Sequence, residues 1–152
     1  MRYVLCIATC LLLACSQLQA KELWDFIWVG QDHKEGPKWV ARDGKAEVVF
    51  RGTHVTIYAT YSDWNSTLDP SSDPSIVIDG ELGPNSRIRA TCSFPGTDRN
   101  PVKLTGQYTT RSDIEFHGPN KKVVTHKEIV FPHPPNFEHM GFLSKDVRDA
   151  QN

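Results

Sequence analysis

Residues 46–61, Ala-Glu-Val-Val-Phe-Arg-Gly-Thr-His-Val-Thr-Ile-Tyr-Ala-Thr-Tyr, constrain the fold more tightly than any other stretch of the chain. Ala46, Val48 and Phe50 alternate with Glu47, Val49 and Arg51. Beyond Gly52 the apolar set becomes Val55, Ile57, Ala59 and Tyr61, against His54, Thr56, Tyr58 and Thr60. Side chains two apart share one face of a strand, so each half presents a dry face and a wet one. Gly52 has no Cβ and tolerates positive φ, which a tight reversal between Arg51 and His54 demands. The expectation is an antiparallel hairpin at the centre of a β structure.

The same period recurs downstream. Ile76, Ile78, Gly80 and Leu82 alternate with Val77, Asp79 and Glu81; Ile88, Ala90, Cys92 and Phe94 alternate with Arg87, Arg89, Thr91 and Ser93. Gly83-Pro84-Asn85 supplies the turn between them. Val102, Leu104, Gly106 and Tyr108 then face one way, and residues 114–116 and 123–131 extend the pattern through a turn at His117-Gly118-Pro119-Asn120. Gly80 and Gly106 fall on the apolar face, where a missing side chain lets the sheet bend or another group come close. Upstream, Trp24, Phe26 and Trp28 stand two apart while Leu23 and Ile27 stand four apart, so residues 21–29 fit a strand or a short helix, with the aromatic content favouring the strand. Trp39-Val40-Ala41 reads as a short strand before an Arg42-Asp43-Gly44-Lys45 turn. Six to eight strands at a spacing of about ten residues, each dry on one side, indicate an antiparallel all-β domain. Residues 62–75 form its longest loop, with two prolines, three Asp and five Ser. Pro132, Pro134 and Pro135 end the sheet. Residues 136–152 are expected as a polar tail with one short helix around 143–150.

The first twenty residues stand apart. Arg2 is followed by an unbroken apolar run over 4–14 and small residues, the layout of an export signal too short to span a bilayer as a helix. Its processing has two readings. Leu12-Leu13-Ala14-Cys15-Ser16 resembles the lipobox of bacterial lipoproteins, which implies a lipid-modified Cys15 and a membrane anchor. Cleavage after Ala20 gives a freely secreted product instead. The domain organisation is therefore an export signal over 1–20, a β domain over 21–135 and the tail. The expected location is the bacterial cell envelope, lipid-anchored or periplasmic, with the extracellular medium as the alternative. In a eukaryotic secreted chain, Asn65-Ser66-Thr67 would accept a glycan.

Cysteine and charge narrow the function classes. Cys6 and Cys10 lie in the signal and Cys15 is lipidated or removed, so the domain retains Cys92 alone and no internal disulfide can form. Cys92, at strand spacing among apolar residues, reads as a small buried hydrophobe. Without residues 1–20 the chain carries 16 Lys and Arg against 18 Asp and Glu, a net charge of −2. With no basic stripe, nucleic acid is not an expected partner.

No catalytic motif is present. The chain lacks a Gly-x-Ser-x-Gly elbow, a His-Glu-x-x-His pair and a phosphate-cradling glycine loop. Asp79 and Glu81 lie two apart, a pairing that could serve glycoside cleavage in a cleft but reads more simply as a solvated strand face. The chain is thus expected to be non-catalytic and to need no cofactor. His126, Glu128, His133 and His139 have the donor chemistry of a zinc or copper site, though their spacing matches no established signature, and solvated strand and loop positions explain them as well. Tyr58, Trp64 and Tyr108 are the candidates for ligand contact, while Trp24, Trp28 and Trp39 are expected to fill the core or plug one end.

Together these readings give a single antiparallel β-barrel, with a two-sheet β-sandwich as the alternative. The Trp-rich opening followed by meandering strands resembles the calycin or lipocalin-like barrels. Gly36-Pro37-Lys38-Trp39 has one residue more than the Gly-x-Trp signature of that family, so no binding residue is carried across. The function expected is an exported binding protein holding a small apolar ligand in the barrel. The alternatives are a protein-interaction or inhibitor module working through residues 62–75 and 95–101, and a metal-binding protein.

Overall fold

A computed structural model describes residues 22–32, 38–62, 69–132 and 139–149. The export signal, Cys15, Trp64, the Asn65 acceptor and His133 lie outside them. Eight strands follow in order: β1 (Glu22–Asp32), β2 (Lys38–Arg51), β3 (His54–Tyr61), β4 (Ile76–Leu82), β5 (Arg87–Ser93), β6 (Val102–His117), β7 (Asn120–Phe131) and β8 (His139–Asp149). Each pairs antiparallel with the next, and β8 returns to β1, with Val29 opposite His139 and Asp25 opposite Leu143. The sheet is a closed eight-stranded barrel, so the sandwich alternative falls. One circuit displaces the register by about ten residues, the stagger that tilts the strands and leaves an eight-stranded interior just wide enough for side chains or one small ligand.

The alternation read in residues 46–61 is the alternation built. Ala46, Val48, Val55, Ile57 and Ala59 are buried, and Gly52 makes the reversal with φ of 63°. Gly80 and Gly106 are sites of close approach: a Cβ on Gly80 would lie 2.5 Å from the Arg89 carbonyl oxygen, and one on Gly106 would lie 2.6 Å from the Phe131 ring.

Two stretches differ from expectation. Residues 42–45 do not turn but run through the middle of β2, with Gly44 opposite both Phe26 and Tyr61. A Cβ on Gly44 would lie 2.0 Å from the carbonyl oxygen of Thr60, so the glycine serves the approach of β3 rather than a reversal. Residues 139–149, expected within a tail bearing a helix, are strand β8, and the barrel extends past 135 to include them. Met140 and Phe142 are 1% and 0% exposed, and Phe142 stacks on Phe26 at 5.1 Å between ring centroids. Two neighbouring strands, each needing a partner, overrode the local polarity of this segment.

Candidate functional site

The inward positions of the strands meet in a filled core. Trp24, Phe26, Ile57, Ile78, Ile88, Phe131 and Phe142 are each 0–1% exposed, so they neither face solvent nor line a space a water could enter. Cys92, also 0% exposed, belongs to this packing, as its spacing indicated. The middle of the barrel is solid.

At the end with the tight turns, where β2 passes to β3 and β6 to β7, Tyr108 points inward and lies 5.6 Å from Phe50, ring to ring. Beside them Lys127 Nζ donates to both carboxylate oxygens of Glu22, at 2.7 and 2.9 Å, and the Trp24 indole donates to the same carboxylate at 3.1 Å. Glu22 and Lys127 occupy inward positions where the tilted wall runs out, so this ion pair closes the core against solvent. Its half-exposed geometry contributes at most about 1 kcal/mol.

At the other end, where β1 passes to β2 and β3 to β4, Trp28 packs edge-on against Tyr61 at 6.3 Å, with the Arg42 guanidinium 5.9 Å from the Trp28 ring and 5.4 Å from the Tyr61 ring. The Trp28 indole N–H is buried and has no hydrogen-bond acceptor among the described residues. An unsatisfied buried donor costs about 1–3 kcal/mol. Of the two loops proposed as interaction surfaces, residues 95–101 are braced by the Arg99 guanidinium, 3.7 Å from the Phe94 ring, and by Thr97 donating to the Phe94 carbonyl at 2.8 Å. Residues 69–75 turn on Asp69, whose carboxyl is held below its usual pKa by the Ser71 hydroxyl in particular.

The outer face of β3 to β6 carries the densest polar chemistry. His54 sits between two carboxylates of β4: Nδ1 is 2.9 Å from Glu81 and Nε2 2.9 Å from Asp79, while Thr56 donates to the same Asp79 oxygen at 3.1 Å. The hydrogen bond that His54 donates to Glu81, with a smaller one to Asp79, raises the His54 pKa above its ordinary 6.5, and the same bond lowers Glu81 below 4.5. Next to this clamp a groove of about 310 Å³ runs across β4, β5 and β6, with Asp79 on one side and Arg89, Thr91, Lys103 and Thr105 along it. The ladder sets Glu81 opposite Arg89, Asp79 opposite Thr91 and Thr91 opposite Lys103, so the charges alternate across the strands.

The residues singled out from sequence do not converge. Tyr58 is on the outer wall, half-buried, whereas Tyr108 is inside, so the two lie on opposite faces of the sheet. His126 and Glu128 share the outer face of β7, but His126 is drawn toward Glu115 on β6, with Nε2 3.9 Å from its carboxylate. His139 begins β8, six strand positions or about 20 Å along the strand from Lys145, the residue opposite His126. Among the described residues no three His, Cys, Asp or Glu side chains are arranged to hold a metal ion. The clamp was missed because His54 and its carboxylates are 25 and 27 residues apart; the clue available was that all three fall on the wet side of their strands. No family model, curated protein or solved structure matches the chain.

Proposed function

We propose that the protein is an exported, non-catalytic binding protein that meets its partner with the outside of its wall, chiefly the groove of Asp79, Arg89, Thr91 and Lys103 flanked by the His54 clamp. The observation that carries this reading is the filled middle of the barrel, where Trp24, Phe26, Ile57, Ile78, Phe131 and Phe142 are 0–1% exposed and leave a ligand no room. A rigid closed barrel with a polar groove is a scaffold for surface recognition, and the paired cations at Arg89 and Lys103 suit an acidic group on a protein partner. The test is cross-linking capture in the compartment where the chain resides, comparing wild type with Arg89→Glu/Lys103→Glu. Loss of the captured partner with an unchanged melting temperature is the expected result; equal capture refutes the assignment.

A second reading, a small mostly apolar ligand at the Trp28 end, is favoured by the buried Trp28 indole N–H, which lacks an acceptor among the described residues and is flanked by Tyr61 and Arg42. A ligand with a hydrogen-bond acceptor there would satisfy the indole. Native mass spectrometry of the gently purified protein decides between the two: a retained mass that disappears in Trp28→Phe supports this site, and a bare chain supports the outer groove.

A further inference from the structure

Past Gln107 the barrel loses one wall. β5 accompanies β6 only from Cys92 opposite Val102 to Arg87 opposite Gln107, whereas β6 continues to His117 with β7 on its other side. Among the described residues no strand pairs with the β5 side of this continuation, which leaves a template for another strand. It also carries the two most exposed large hydrophobic side chains of the described residues, Ile114 at 65% and Phe116 at 71%, on one face. On the opposite face Arg111 and Asp113 stand two apart and exposed, with Nε 3.6 Å from the carboxylate.

We propose that this edge pairs antiparallel with the same edge of a second copy of the chain, centred on Ser112. In that register Arg111 of each copy stands opposite Asp113 of the other, Thr110 opposite Ile114, and Tyr108 opposite Phe116. Opposite charges directly across a ladder stabilise it and like charges destabilise it. A shift of two residues places either Arg111 against Arg111 or Asp113 against Asp113, and a shift of one places Ile114 or Ser112 opposite Arg111, side chains of the other face, so the charges select the Ser112 register. The two-fold axis makes the contact isologous, which closes the assembly at two copies and removes the edge.

The test is thiol pairing in the full chain. Ser112 is exposed, and its hydroxyl lies 3.0 Å from that of Thr125, so Ser112→Cys is a mild change. With a mild oxidant the two introduced thiols, facing each other across the axis, join in a disulfide located by peptide mass spectrometry. Asp113→Cys, whose thiols would be about 7–8 Å apart on the diagonal, serves as the control and should pair much more slowly. In native mass spectrometry Arg111→Asp is expected to weaken the dimer roughly tenfold, and the swap Arg111→Asp/Asp113→Arg to restore it. A monomer at every concentration, equal pairing at both positions, or a swap that fails to restore the dimer overturns the proposal. So does binding of phosphatidylglycerol vesicles that is lost in Phe116→Ser while thiol pairing stays at the control level, because the exposed rings would then serve a membrane surface.

Discussion

His54 shows how a single side chain can give the wall a pH optimum. Glu81 and Asp79 across the ladder raise its pKa above 6.5, so its contribution to stability is fully present below 6.5 and is lost as pH rises through the raised value. Glu81 is lowered below 4.5, so its contribution is present above 4.5 and is lost as pH falls through the lowered value. The pair therefore helps most between these limits. Urea unfolding should show a higher midpoint near about pH 5.5 than near about pH 8.5, and His54→Gln should shrink that difference; an unchanged difference assigns the pH dependence to other groups. Gly80 tests a different residue-scale effect. Its missing Cβ accommodates the Arg89 carbonyl oxygen and the Ala90 Cβ, each at 2.5 Å, so Gly80→Ala should lower stability by about 1–3 kcal/mol in the same assay. At Gly96, whose Cβ position opens to space, a substitution would be strained only by the φ of 72°.

Elements were legible in the sequence where one face is dry and the other wet. β3, β4 and β5 follow the alternation residue by residue because their inward positions carry mostly Val, Ile, Ala or Cys and their outward ones, Val77 apart, carry polar groups. β8 was hidden because Leu143 is apolar on the wet side, 43% exposed, and Lys145 and Asp146 follow, so the period of two set by Met140 and Phe142 covers too few residues to stand out. The length of β2 was hidden for another reason: Asp43-Gly44 has the chemistry of a turn, and only the carbonyl of Thr60 arriving from β3 reveals the other use of that glycine. The polar clamp and the groove were illegible as a site, since each is assembled from separate strands and no short segment contains it. β8 matters to the core in proportion to its aromatic contacts. Phe142 stacks on Phe26 and meets Phe131 edge-on at 6.3 Å, so Phe142→Ala should cost about 3–5 kcal/mol by chemical denaturation. A loss under about 1 kcal/mol would mean that this seam relaxes to fill the gap.

At the scale of the whole molecule, the barrel depends on joining the two ends of the described chain. β1 and β8 pair from Asp25 opposite Leu143 to Val29 opposite His139. A chain ending after Pro132 would leave β1 and β7 with one neighbour each and Phe26 and Phe131 without Phe142, and is expected to give circular dichroism without fixed tertiary signals and rapid amide exchange throughout; a protected core in that truncation would show the first seven strands to be self-sufficient. The contacts that shut the wall span about 110 positions of sequence, a separation that slows folding by the loop entropy it must first surrender. A protein whose first strand waits for its last cannot close its wall before residues 139–143 have been made and are free to pair with 25–29.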